Sequence, residues 1–272
     1  MNAEREAARS IARGAGAILR GHFRRQLHVE YKGWADHVTV ADRESEEYIR
    51  DQLRAQFRAD AIWGEEFGRL HGSSGRQWVV DPLDGTANYA GSTPAYCVCL
   101  TLIDQAGRTE LCVTYDPNRD ELFECWRDGG SWLNGVRLAV NDRPSLEDAL
   151  IHISIPRTRP EWDRTMTMLR ELTAVAPHIR NLGSSALAQA WVAAGRLDAH
   201  VKLTSSEFDV TGGNLMIEEA GGIATDLVGS RYVAGGSLLA ASASVHPVLL
   251  ALGLNGAAQL TVSSGRESGE TV

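Results

Sequence analysis

Apolar and polar positions along this chain follow two rhythms. Over residues 3–23, Ala7, Ile11, Ala15, Ile18 and His22 recur at helical spacing, Leu19 and Phe23 extend the stripe, and arginines fill much of the rest. That pattern predicts an amphipathic helix. Residues 31–40 read as a loop or ribbon, and residues 42–57 resume a helical period through Tyr48, Ile49, Leu53 and Phe57. Short apolar runs at 61–63, 78–80, 96–103, 111–115 and 121–126 predict strands, with hairpin signals at Gly129-Gly130 and Asn134-Gly135. The middle of the chain is therefore expected to be a mainly antiparallel sheet. From Asp148 onward the pattern becomes strand–helix alternation. Strands are expected at 150–155, 178–182, 197–203, 223–224 and 237–241, and helices at 161–174, 185–194, 209–220 and 245–254. In the first of these helices Met166, Leu169 and Leu172 form the expected apolar side, and Gly221-Gly222 ends the third as a C-cap. Residues 71–76 are expected to form a flexible connection, a candidate flap, and the polar tail 256–272 to be disordered.

A chain of 272 residues accommodates one large domain or two fused subdomains. The change of rhythm suggests an N-terminal α+β half, 1–145, and a C-terminal α/β half, 146–255, sharing one core. A net charge of −8 gives no overall attraction to nucleic acid polymers or to an anionic membrane. No apolar run approaches the ~20 residues that span a bilayer. Arg5, Arg9, Arg13 and Arg20 interrupt the start, which lacks a signal-peptide core, so the expected location is cytoplasmic. The 4 cysteines, Cys97, Cys99, Cys112 and Cys125, lack zinc-site spacing and read as buried free thiols.

The candidate chemistry centres on Trp78-Val79-Val80-Asp81-Pro82-Leu83-Asp84-Gly85-Thr86. An apolar run ends in two carboxylates, with Pro82 stiffening the turn between them. Asp81 and Asp84 are either ordinary turn formers or hard oxygen ligands for a divalent cation such as Mg²⁺. The Gly85 and Thr86 amides are placed to face a phosphate. Glu65 and Glu66 follow a strand end, where α/β sites collect ligands. Asp42 is a helix N-cap or a carboxylate at the edge of a site. Asp209 heads a helix whose dipole it favours. Ser184 and Ser185 open another helix, whose N-terminus is able to face an anion. Lys32, polar and exposed, is able to reach a phosphate.

Taken in order, Gly64-Glu65-Glu66, then Asp81-Pro82-Leu83-Asp84-Gly85-Thr86, then Phe208-Asp209 on a helix ending Glu219-Ala220-Gly221-Gly222 resemble the inositol monophosphatase family. These are Mg²⁺-dependent, lithium-sensitive phosphatases, and the resemblance spans about residues 5–253. It implies a layered α+β fold, an αβαβα sandwich. Glu65, Asp81, the Leu83 carbonyl, Asp84 and Asp209 match the metal ligands, for two or three Mg²⁺ ions per site; Glu66 is not assigned as a direct ligand. Lys32, Asp36, Val38, Thr39 and Asp42 match a further family segment. The implied catalytic residues are Asp42, Thr86 and Glu65, with Asp42 bonding the Thr86 hydroxyl and orienting or deprotonating the attacking water. Asp84, Gly85, Thr86, Ser184, Ser185 and Lys202 form the implied substrate site. The partner is a small phosphate ester, and family members are often homodimers.

Two positions depart from the family pattern. Phe208 replaces a Trp, a loss of one N–H donor expected to affect packing. Lys202, seven residues before Asp209, stands where inositol-selective members carry a Glu that binds sugar hydroxyls. Lys202 is either a solvated loop residue or a cation offered to a second anionic group on the substrate. The expected activity is hydrolysis of a sugar, cyclitol or similar phosphate by metal-activated water. Histidinol phosphate and nucleotide bisphosphates such as 3′-phosphoadenosine 5′-phosphate are alternative substrates. A degenerate binding protein is the remaining alternative, disfavoured because every matched ligand is present.

Overall fold

A computed structural model of the chain describes residues 1–25, 29–33, 36–143, 145–156 and 159–254, apart from the side chains of Lys32, Asp36, Arg159, Pro160, Glu207 and Asp209. The expected disorder of the tail and the site roles of the Lys32, Asp36 and Asp209 side chains thus lie outside the described residues.

In chain order, α1 (Asn2–His22) is followed by the ribbon β1 (Val29–Gly33) and β2 (Asp36–Thr39), then α2 (Val40–Gln56). The first sheet contains β3 (Ala61–Gly64), β4 (Gly68–Leu70) and β5 (Gln77–Asp84); after the short α3 (Thr86–Ala90) it continues with β6 (Cys97–Ile103), β7 (Thr109–Asp116), β8 (Glu121–Trp126), β9 (Gly130–Leu133) and β10 (Val136–Arg137). The second half holds β11 (Leu150–Ile153), α4 (Arg159–Thr173), β12 (His178–Arg180), α5 (Ser185–Ala193), β13 (Ala199–Lys202), α6 (Glu207–Glu219), β14 (Ile223–Thr225), β15 (Leu238–Ala241) and α7 (His246–Ala251). Among the described residues the first sheet has 8 strands in the order β10-β9-β8-β7-β6-β5-β3-β4 and the second has 5 in the order β12-β11-β13-β15-β14. Most neighbours in the first sheet are antiparallel, as its hairpin signals require, but β3 and β5 run parallel.

Strand pleating sorts the side chains into three cores. On β6, Val98, Leu100 and Leu102 face α1 and α2, whereas Cys97 and Cys99 face α5 and α6. On the second sheet, Ile151, Ile153, Ala199 and Val201 pack with Met168, Leu172 and Leu249 of α4 and α7. The layers are therefore helix, sheet, helix, sheet, helix: an αβαβα sandwich. All the cysteines are free and buried. Among the described residues no helix is long and apolar enough to cross a membrane.

Several expectations need correcting. The buried stripe of α1 is Ala7, Ala8, Ile11, Ala12, Ala15, Gly16 and Leu19, turned away from Ile18 and His22. Small residues dominate because the helix lies close to the sheet; a Cβ on Gly16 would meet the Tyr115 ring at 2.5 Å. On α4 the buried positions are Thr165, Met168 and Leu172, with Met166 only half-buried. Residues 71–76 do not form a flap over the candidate site. Ser73 and Ser74 bond the Ala59 carbonyl, Ser74 Oγ donates to Asp60, and the segment feeds the start of β5, the end remote from Asp81.

His152 and His200 lie opposite each other on β11 and β13, turned inward toward α5. Burial pushes the His152 imidazole down to about 3, aided by the charge of Lys202. His200 is driven in the same direction by burial, His152 and Lys202. Unfolded imidazoles take up protons near 6.5, so the unfolded state binds more protons from there down to about pH 3. Stability should fall as pH is lowered through that window, by about 1.4 kcal/mol per pH unit for each imidazole at most. Urea midpoints for metal-free protein between pH 7 and pH 4 check this, and replacing His152 with Phe should flatten the dependence.

Candidate active site

The site forms at the C-terminal ends of β3 and β5. In a regular strand, residues three apart point to opposite faces. Asp81 pairs with Cys99 and Asp84 with Cys97, so three steps on β5 match two on β6. This bulge, at Pro82-Leu83, brings both carboxylates to the face that Cys97 and Cys99 share, toward α5 and α6. Pro82 fits there because a bulge releases a ladder hydrogen bond. The expected turn between the aspartates is thus an irregular strand. Asp81 and Asp84 are 2% and 7% exposed, and Asp81 Oδ1 accepts the Leu83 amide at 3.0 Å.

Glu65 follows β3 directly. Gly64 pairs with Val80 and the Glu65 amide bonds the Val80 carbonyl, so the Glu65 backbone lies level with the start of the Asp81 loop. Gly85 follows β5 with φ +97°, and a Cβ there would come within 2.8 Å of the Ala95 carbonyl, so a tight turn and a close approach both require glycine. It leads into α3, whose first residue is Thr86.

Helix α2 locks this turn from one face. Asp42 is not the N-cap. Thr39 caps the helix, and Asp42 closes a capping box from the third helical position, accepting the Thr39 amide at 2.8 Å and hydroxyl at 2.6 Å. Its other oxygen lies 3.1 Å from Thr86 Oγ1, which is also 3.1 Å from the Leu83 carbonyl. The hydroxyl has one proton to share between them. Burial raises the Asp42 carboxyl to about 6, with Glu66 adding to the rise and hydrogen bonds from Thr39 and Thr86 opposing it. Between its ordinary 3.8 and about 6 the folded state holds the extra proton, so Asp42 offsets part of the histidine effect there. One turn on, Ser45 donates to the Pro82 carbonyl at 3.0 Å. Glu46, fully buried, accepts the Glu66 and Phe67 amides at 2.7 and 3.1 Å. Ser45 and Glu46 were not identified as site residues from sequence. The signal was their place, with Asp42, on the same face as Ile49 and Leu53.

The N-terminus of α5 faces an anion that the chain itself supplies, Asp84. Ser184 caps α5, Ser184 Oγ donates to Asp84 Oδ2 at 2.6 Å, and the Ala186 amide donates to the same oxygen at 2.7 Å. Two donors and the helix dipole thus orient the carboxylate. The Cys97 thiol lies 3.8 Å from that oxygen; burial and the nearby Asp84 charge keep it protonated. Lys202 is not a solvated loop residue: it lies half-buried on β13 and donates from Nζ to Ser185 Oγ at 3.1 Å. Helix α6 begins at Glu207, so Asp209 lies within its first turn rather than at the cap. Phe208 sets its ring edge-on against Trp63 of β3, centroids 4.7 Å apart.

A family model described as the inositol monophosphatase family matches residues 2–257. The chain belongs to the inositol monophosphatase family. It is 36% identical over 226 residues to an inositol-1-monophosphatase of Rhizobium meliloti, covering 82% of each chain. It is 37% identical over 248 residues to Nus factor SuhB of Pseudomonas aeruginosa, covering 88% of this chain and 91% of the relative. The crystal structure of extragenic suppressor protein suhB from Bartonella henselae aligns at TM-score 0.88 and 32% identity, covering 92% of this chain and 98% of that one. An IMPase of Thermotoga maritima aligns at TM-score 0.86 and 28% identity, covering 96% and 99%. Family members bearing the name inositol-1-monophosphatase are phosphoric monoester hydrolases, and this chain belongs to that enzyme class.

The donors here are suited to the family's metal. Glu65, Asp81, Asp84 and the Leu83 carbonyl offer oxygen, the element Mg²⁺ prefers. Among the described residues no three His, Cys, Asp or Glu side chains gather into a metal-sized cluster. Mg²⁺ does not need such a cage, because it keeps several waters and takes one or two carboxylates.

Proposed function

We propose that this chain is a Mg²⁺-dependent phosphomonoesterase that hydrolyses a small phosphorylated metabolite, a sugar, cyclitol or similar phosphate. The observation that supports this most is the β5 bulge, which puts Asp81 and Asp84 on one face, with Asp84 oriented by α5 and Thr86 bonded to Asp42. Glu65, Asp81, Leu83, Asp84 and Asp209 would hold two or three ions. Bound Mg²⁺ would neutralise the ester, lower the pKa of a water and stabilise the leaving alkoxide. The chain's own groups do the rest. The Gly85 and Thr86 amides face the phosphate, and the Asp42–Thr86 pair orients the attacking water and holds its proton. Glu65 assists as a catalytic carboxylate and ligand, and Ser184 and Ser185 border the substrate.

The test is a phosphate-release screen over sugar, cyclitol, nucleotide and histidinol phosphates with Mg²⁺. Turnover should require the metal, fall to background in EDTA and return on adding Mg²⁺. Binding without release would instead identify a degenerate binding protein. Histidinol phosphate and 3′-phosphoadenosine 5′-phosphate remain the alternative substrates in that screen. We further place the enzyme in the cytoplasm and expect a homodimer, which sedimentation would check. Relatives named Nus factor SuhB support a second reading, that this chain serves in that capacity besides hydrolysis. Replacing such a relative in its own cell by wild-type and Asp84→Asn chains would separate that capacity from turnover.

A further inference from the structure

Beneath α5, the inward face of the second sheet carries buried polar side chains. His152 and His200 are 1% and 0% exposed, their rings edge to face with centroids 4.7 Å apart. His200 Nε2 lies 2.9 Å from Ser154 Oγ, and Ser154 Oγ lies 3.4 Å from Ser185 Oγ. Ser185 Oγ in turn accepts a hydrogen bond from Lys202 Nζ at 3.1 Å. Ser185 adjoins Ser184, which holds Asp84. A continuous chain thus runs from a fully buried imidazole to an ammonium group and ends one residue from the centre of the candidate site.

The chain has a direction. Lys202 only donates, so Ser185 accepts from it and keeps its own proton to give. If Ser185 gives that proton to Ser154, then Ser154 gives its proton to His200 Nε2, and the imidazole carries its proton on Nδ1. If His200 carries the proton on Nε2, the order reverses between His200 and Ser185, and the Ser185 proton is left to point into the site. His200 Nδ1 and both nitrogens of His152 have no partner among the described residues. Burial keeps the two imidazoles neutral, so they do not repel the charge of Lys202. A lysine without such a brace is a flexible point charge that loses much rotamer freedom on binding a ligand.

We infer that His200, Ser154 and Ser185 position the Lys202 ammonium at the substrate end of the site, and that this braced cation selects phosphate esters carrying a second anionic group, phosphate or carboxylate. The inference rests on the phosphatase reading above and narrows its substrate class. The hydrolysed phosphate lies against Asp84, Gly85 and Thr86; the second anion lies against Lys202 and Ser185. An ester bearing an amine is disfavoured by the same charge.

The experiment compares a hexose monophosphate, a hexose bisphosphate, a phosphorylated sugar acid and histidinol phosphate under Mg²⁺. Wild-type enzyme should favour the bisphosphate or the sugar acid, and which of the two distinguishes the sources of the second charge. Ser154→Ala and His200→Gln should raise KM for the favoured ester about 5- to 10-fold, as loss of one hydrogen bond would, with kcat within about twofold. KM for the monophosphate should not move. Lys202→Met should abolish the preference, and Lys202→Arg should retain part of it. If Ser154→Ala leaves the KM of the favoured ester unchanged, or shifts every ester by one common factor, the inference is overturned. Wild-type protein that releases phosphate from no ester overturns the phosphatase reading instead. Calorimetric binding of the same esters to Asp84→Asn and Asp84→Asn/Ser154→Ala proteins then still reads the selectivity without turnover, and equal affinities for esters with and without the second anionic group would refute it.

Discussion

Asp84→Asn is expected to reduce Mg²⁺-dependent phosphate release by more than about 100-fold, beyond what changes around a metal's ligands ordinarily cost. The proposed ligand loses its charge at the position where the bulge and α5 aim it. The fold should survive. An Asn side-chain oxygen still accepts from Ser184 Oγ and the Ala186 amide, so the loss is limited to the charge-assisted part of two bonds and the helix-dipole contribution, about 1–2 kcal/mol together. Circular dichroism and a urea titration establish that the variant is folded, and the phosphate assay reads the rest. A folded variant with near-normal turnover would remove Asp84 from the site and the phosphatase mechanism with it.

Gly212→Ala is expected to lower stability and turnover together. Helix α6 crosses the first sheet, and at Gly212 it comes so close that a Cβ would meet Thr101 Oγ1 at 2.2 Å and Cys112 Sγ at 2.4 Å. It would also lie 2.9 Å from Cys112 Cβ, which is fixed by its strand. Overpacking of this kind costs about 1–3 kcal/mol or forces the helix outward. An outward shift would carry Asp209, three residues earlier, away from the strand ends. The expected result is a lower urea midpoint together with lost turnover. A compensating Thr101→Ala change should recover part of the stability by removing one of the two contacts. Unchanged stability in Gly212→Ala would mean that α6 sits farther from β6 and β7 than its contacts indicate.

Much of the site was legible because its residues are adjacent in sequence. The Asp81–Thr86 block and the Gly64-Glu65-Glu66 turn are each contiguous, so they stand out as motifs, and it is their resemblance to a known family that assigns them as ligands. The Cys97 and Cys99 alternation likewise declared a common strand face. Ser45 and Glu46 escaped notice because polar residues on a helix usually face water; only the packed loop shows that theirs face the Pro82 carbonyl and the Glu66 amide. Asp42 was read as a choice between cap and site, whereas its two oxygens serve both, one toward Thr39 and one toward Thr86. The Ser184 helix end does face an anion, as its position at a helix N-terminus allows, but which anion is not legible locally because Asp84 lies a hundred residues away in sequence. The His152–His200 pair left no trace in periodicity, since a buried histidine alternates on a strand as any apolar residue does.

The layered fold and the enzyme family came from the resemblance of the motifs to a known family, while local spacing and residue chemistry sufficed for most of the helices and strands and for the oxygen-rich motif. The latter follow from short-range physics: helical and strand periods, the stiffness of proline, the freedom of glycine and the hardness of carboxylate oxygen. Tertiary structure alone decided that Asp81 and Asp84 share a face, because a bulge is defined only against the partner strand β6. It alone decided that α2 holds the loop from one side and α5 orients Asp84 from another, and that Lys202 is tied to Ser185 rather than solvated. Each of these depends on contacts between segments distant in the chain, and a contact of that kind has no signature in the local sequence of either partner.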